Sequence, residues 1–307
     1  MNKKKLIPLL AAEGAASAAL ALAGGISGAV IGFPLVQLGG ILRKMSLSGT
    51  LGNTAAVIIY VIVSLLPCVY FAVRAVRYRI SMVDIILPIL SELLFGGIYA
   101  AVNPTNPMAA MLYGSVLYSL LFGYIILRIL HAAKNCESGR TVKLLRIMLT
   151  AAAIVFVFCA FGICIAEIRS TILNVNAANQ GTESGLMLTY LFIALRYAVV
   201  IAAYIFDTGI AMSGLSLITA LEADKFSDET AEAAQKTAKR AVVALSVTVC
   251  GSMAVNILQL LCAPLLRDIN TNANLPVTET AFALAALLLA NYVKSAVQLR
   301  RDNDMFI

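Results

Sequence analysis

A single histidine in 307 residues, His131, removes most metal and acid–base chemistry at the outset. No HExxH helix and no Cys/His zinc set can be assembled from it. Cysteine is sparse too, and five of the six (Cys68, Cys159, Cys164, Cys250, Cys262) fall inside apolar runs, where they behave as small hydrophobes. Tryptophan is absent, and charged residues make up only 13% of the chain, about half the share of a soluble domain. The triplet Asp207-Thr208-Gly209 spells an aspartic-peptidase signature. That chemistry needs two carboxylates sharing a proton, and no second triplet exists to supply the other. With no P-loop and no nucleophilic-serine motif either, the expectation is a protein that is not an enzyme, with no catalytic residue, metal or cofactor.

What the chain has instead is grease. Hydrophobic residues reach 61% and the mean hydropathy is +0.90. This composition predicts an integral membrane protein whose first partner is the lipid bilayer. The net charge of +7 is spread over short loops between apolar runs, so it reads as an orientation signal facing anionic lipid rather than a nucleic-acid footprint. Runs of about 20 apolar residues fall at roughly 6–30, 54–73, 83–102, 108–130, 147–168, 198–220, 241–265 and 278–297. They predict an all-α polytopic bundle of about eight spans. With both termini cytoplasmic, Lys and Arg concentrate on the inner side, and only Arg43, Lys44, Arg169 and Arg267 fall outside. The bacterial cytoplasmic (inner) membrane is the expected location, and the basic, apolar N-terminus is read as a retained first span.

Residues 6–42 would form a helix about 55 Å long, too long for one crossing. Pro34 and the pair Gly39 and Gly40 are the available breakers, which predicts a short interfacial or re-entrant piece over 33–53. Gly24, Gly28 and Gly32 recur every four residues and form a smooth strip for close helix packing, inside the bundle or in a homo-oligomer.

The spans divide four plus four at "HAAKNCESGRTVK", giving halves 1–137 and 138–307. The second half carries "KFSDETAEAAQKTAKRAVVAL" between two spans and ends "YVKSAVQLRRDNDMFI". On these two stretches it resembles the YoaS-like family of four-span bacterial membrane proteins. The resemblance implies a signalling or regulatory protein rather than an enzyme, since family members are often encoded beside small helix-turn-helix regulators. This chain differs in its last residues, Met305-Phe306-Ile307, and in its additional N-terminal spans.

Read from its residues alone, the polar stretch is a helix start. Ser227 is a good N-cap, Asp228 and Glu229 suit the positive helix end, and Phe226 stands where a hydrophobic staple to Ala231 would form. It predicts either a solvated hinge or a docking helix for a cytosolic regulatory protein, presenting Ser227, Glu229, Glu232, Gln235 and Lys236. Carboxylates at membrane depth cost a few kcal/mol each. Glu13, Glu92 and Asp207 are such groups, with Glu92 one turn after Pro88, and Asn256 and Gln259 share one helix face. They predict neutral acids hydrogen-bonded to neighbouring helices, or a polar pathway through the bundle. Toward the outer side Glu167, Arg169 and Arg196 form a candidate ion-pair group. The leading expectation is a regulatory or sensing membrane protein acting through its cytoplasmic helix and tail; the alternative is a small transporter or permease subunit using the buried carboxylates.

Overall fold

The computed structural model describes residues 3–24, 34–77, 80–103, 107–134, 138–179, 186–266 and 277–304. Among them every element is helical and there is no strand. In chain order these are α1 (Lys3–Leu22), α2 (Leu35–Ser46), α3 (Thr50–Arg77), α4 (Ile86–Val102) after a 3-10 turn at Met82–Ile85, α5 (Pro107–Lys134), α6 (Ser138–Phe158), α7 (Cys164–Ala178), α8 (Leu186–Ala223), α9 (Asp228–Cys262) and α10 (Val277–Asp304). A single π-helical turn, Cys159–Ile163, joins α6 to α7 into one rod. Six stretches are long and apolar enough to cross a membrane: Thr50–Arg77, Met82–Val102, Val142–Ala178, Leu186–Ala223, Asp228–Leu265 and Val277–Asp302. Leu6–Leu22 and Leu112–Arg128 are shorter apolar helices. Only 11% of the apolar part of α3 is buried, and Val57, Ile58, Val61, Ile62, Leu65 and Leu66 stand exposed along it. Water would penalise such a surface; lipid does not.

The helices gather into two compact units, Ser27–Glu137 and Met1–Ile26 with Ser138–Ile307. The lower boundary falls where the sequence divides, but α1 packs with the C-terminal unit and not with the half in which it stands in sequence. Its buried face, Leu6, Leu10, Gly14, Ser17 and Ala21, lies against α6, the π-turn and α7. The helix α1 ends at Leu22. Gly24 adopts φ +80° and its amide donates to Ala21 O at 3.1 Å, a left-handed helix stop that a side chain would resist. Gly28 and Gly32, the rest of the expected strip, lie outside the described residues.

In the other unit α2 is the short helix expected within 33–53, and it packs on α3 and α4 through Leu35 and Leu42. Gly39 and Gly40 do not break it. The helix runs through both, and Gly39 is used for close approach, since a Cβ there would lie 2.4 Å from Ala101 Cβ. Arg43 then reaches the end of α4, donating from Nη1 to Val102 O at 3.1 Å. The proline inside α3, Pro67, is answered across the interface, where Ser91 Oγ accepts from the Cys68 amide at 3.0 Å.

In the C-terminal unit α9 lies between α8 and α10. Its buried residues are Thr230, Ala234, Thr237, Ala241, Ala244, Thr248, Ser252 and Val255. Steps of four or three put these small side chains on one stripe, so that two neighbouring backbones can approach closely without a hydrophobic drive from water.

Candidate functional site: a buried carboxyl pair and a braced cytoplasmic turn

Asp207 is the one expected membrane-depth acid that is fully buried, at 1% exposure in the middle of α8. Its Oδ2 has no hydrogen-bond partner. The neighbouring polar groups are all engaged elsewhere. Thr208 Oγ1 donates to Tyr204 O at 2.9 Å and Ser213 Oγ to Gly209 O at 2.8 Å, both within the helix. Arg240 of α9 donates from Nη1 to Gly209 O at 2.9 Å and to Ser213 Oγ at 2.5 Å. Thr208 turns away into an apolar cavity of about 500 Å³ lined with Leu10, Gly14, Phe161 and Ile205.

What faces Asp207 is a second acid. Glu279 of α10 is buried at 8% exposure and lies within electrostatic range of Asp207. The Tyr204 hydroxyl, one turn before Asp207, hydrogen-bonds the Glu279 side chain. Cys159, at the start of the π-turn, is also within range of Glu279. Phe156 closes the group by packing on Phe282 with ring centroids 5.0 Å apart and on Tyr204 at 6.2 Å. π-turns inserted in α-helices recur at functional sites, because the extra residue re-aims the side chains that follow. Sequence reading passed over Glu279 because it stands at the edge of an apolar run. The signal was present: Glu279, Ala283, Ala286, Ala290 and Val297 share one helical face, and that face is the core.

The other predicted acids go elsewhere. Glu13 is half-buried, on the flank of the buried face of α1 opposite the apolar cavity. Glu92 belongs to the other unit and is exposed, while its neighbour Ser91 is the buried residue. Pro88 sits in the first turn of α4, where an amide hydrogen has no intrahelical partner to lose, so it frees no mid-helix carbonyl beside Glu92. Asn256 and Gln259 are half-buried and each is engaged in an interaction of its own. The contact of Gly251 with Val199 and that of Arg240 with Gly209 set the antiparallel register of α8 and α9. In that register Asn256 lies about 20 Å along α9 from the level of Asp207.

Among the described residues no salt bridge joins Glu167, Arg169 and Arg196. Arg169 packs its guanidinium on Gly24 at the C-terminal end of α1, where a cation meets the negative end of the helix dipole. Arg196 stacks over the Tyr197 ring at 4.8 Å and donates to its hydroxyl at 3.1 Å.

A charged cluster that the sequence reading missed lies in the other unit. Asp84, at 1% exposure, meets Arg74 Nε at 3.4 Å and Arg128 Nη1 at 3.7 Å and accepts from the Tyr124 hydroxyl at 3.5 Å. Its Oδ2 accepts from the Ser81 amide at 3.0 Å in a capping box, so one carboxylate starts α4 and ties it to α3 and α5.

The turn between α8 and α9 is the second candidate site. Ser227 caps α9, with its Oγ accepting from the Thr230 amide at 3.2 Å. Asp224 organises the turn: its Oδ1 accepts from the Phe226 amide at 3.0 Å and its carbonyl from Thr230 Oγ1 at 2.7 Å. Phe226 is exposed, with the Arg300 guanidinium 4.3 Å above its ring. Arg301 Nη2 bonds both oxygens of Asp228 at 2.6 and 2.8 Å. The end of α10 thus clasps the turn, and Glu229, Glu232, Gln235 and Lys236 stay exposed.

No family model matches the chain, and neither the curated proteins nor the solved structures contain a match.

Proposed function

We propose that the chain is a non-enzymatic regulatory or sensing protein of the bacterial inner membrane, with eight spans and both ends cytoplasmic. In this reading it signals through its cytoplasmic turn and the first turns of α9. The observation that carries it is the clasp of Arg300 and Arg301 on Phe226 and Asp228. A plain hinge between two spans needs a cap and a short loop, both present without the clasp. Here the turn is additionally held by the end of the last helix, and a polar face beside it is left open to a cytosolic partner. The YoaS-like resemblance of residues 138–307 supports the same reading.

Replacing Glu229, Glu232 and Gln235 with Ala keeps α9 helical, because Ala has the highest helix propensity and the Ser227 cap is untouched. A cytosolic partner cross-linked to the wild type in cells is expected to be lost from this variant at unchanged membrane levels. Retention of that partner by the triple variant, or recovery of none from the wild type, defeats the reading. A second reading, a small permease subunit, is favoured by one observation, the buried carboxyl pair of Asp207 and Glu279. Uptake abolished in a well-folded Asp207→Asn protein would establish it.

A further inference from the structure

We infer that Asp207 and Glu279 form a proton-binding site, a carboxyl pair that holds one proton between two helices. It deepens the sensing reading by naming its input, and it rests on that reading only for its purpose. Three observations carry it. Two carboxyl side chains from different helices, both more than nine-tenths buried, lie within electrostatic range of each other. Two negative charges buried together without a counter-cation are costly, which favours a proton on the pair. The second observation is the unpartnered Asp207 Oδ2. A buried carboxylate oxygen without a donor carries its full desolvation cost, and Thr208, Ser213 and Arg240 each donate to other acceptors. A proton on the pair supplies the missing donor. The third is Tyr204, whose hydroxyl bonds Glu279 and not Asp207. The two acids therefore stand in different surroundings, one bonded by a hydroxyl and the other with a bare oxygen.

The titratable and charged groups around the pair are Tyr204 on α8 itself and Cys159 and Cys164 on the π-turned rod, while Arg240 of α9 is bonded to Gly209 O, two residues along α8 from Asp207. The site also stands where a sensor would need it. Asp207 is on α8, which leads into the cytoplasmic turn, and Glu279 is on α10, whose far end clasps that turn through Arg300 and Arg301.

The test uses the full-length protein in lipid nanodiscs. Infrared spectra are taken across pH for the wild type, Asp207→Asn and Glu279→Gln, and each variant is subtracted from the wild type. A coupled pair gives a carboxyl signal growing in two separated steps, and each single variant reduces it to one. Because a variant can fail to fold, the wild type is also treated with dicyclohexylcarbodiimide, which modifies protonated carboxyls in apolar surroundings. Mass spectrometry should find Asp207 modified at neutral pH, and modified less as pH rises. Absence of the two-step signal, or modification indifferent to pH, overturns the pair. Protection by sodium chloride at constant pH overturns the proton assignment and makes this a sodium site. None of these readouts involves a cytosolic partner, so the site can fail while the docking surface stands, and the reverse.

Discussion

At the scale of single residues, position along an apolar run is a poor guide to what a carboxylate does, because the decisive variable is the face it occupies. Glu92 sits deep within a run and is exposed on its helix; Asp84 sits at the start of the same run and is buried between two arginines. Truncating Asp84 to Ala leaves Arg74 and Arg128 facing each other without their shared counter-charge and removes the capping box. A loss of about 3 kcal/mol is expected, since removing one member of a buried ion pair strands the others. Asp84→Asn keeps an acceptor for the Ser81 amide and should fall between Asp84→Ala and the wild type. Thermal unfolding in detergent reads this order. Glu92→Gln, by contrast, should leave the unfolding temperature unmoved. The capping signature Ser81-x-x-Asp84 was legible in the sequence, but the two arginines that complete the cluster lie on other helices and carry no local mark.

Helices respond to their neighbours as much as to their own composition. The glycine pair in α2 looked like a break and is instead one contact position and one idle one. Gly39→Ala places a Cβ 2.7 Å from the Ala101 carbonyl carbon, which is backbone and cannot swing aside. A cost of about 1–3 kcal/mol is expected. Gly40→Ala meets nothing within 4 Å and should gain up to about 1 kcal/mol from helix propensity. The two variants, measured side by side by thermal stability, should therefore move in opposite directions. At the start of α9 the sequence was explicit, and Ser227 is the cap it was read to be. Ser227→Ala should cost about 1 kcal/mol locally, seen as faster amide exchange over the first turn of α9. The Phe226 ring also meets the Arg300 cation, a partner some seventy positions away that no local motif encodes.

For the whole molecule, the eight-span threading with both ends inside makes one direct prediction. Cys136, in the loop between the two halves and outside the described residues, is the one cysteine away from the apolar runs. A membrane-impermeant thiol reagent should leave it unlabelled in intact cells and label it in inside-out vesicles. Labelling from outside overturns the threading. The compact units divide between Glu137 and Ser138, and α1 belongs with the C-terminal unit. Counting spans assigns each to its sequence neighbours, whereas helices in lipid associate by fit. Leu6, Leu10 and Gly14 fit the Val157 and Phe161 surface of the π-turned rod.

Composition and periodicity alone determined that this is an all-helical chain built for lipid, roughly where its apolar helices lie, and that Asp207 would be an expensive residue needing an explanation. These are local properties: hydropathy over about 20 residues, a cap at a helix start, a charge in a greasy run. Which acid Asp207 meets, which residues hold the cytoplasmic turn, and which helices α1 joins were decided only by tertiary structure. Each depends on pairs far apart in the chain, Asp207 with Glu279, Asp228 with Arg301, Gly24 with Arg169. Each helix can rotate about its axis without changing its own hydrogen bonds or its hydropathy, so only the close fit of small-residue faces selects the rotation that brings those side chains together.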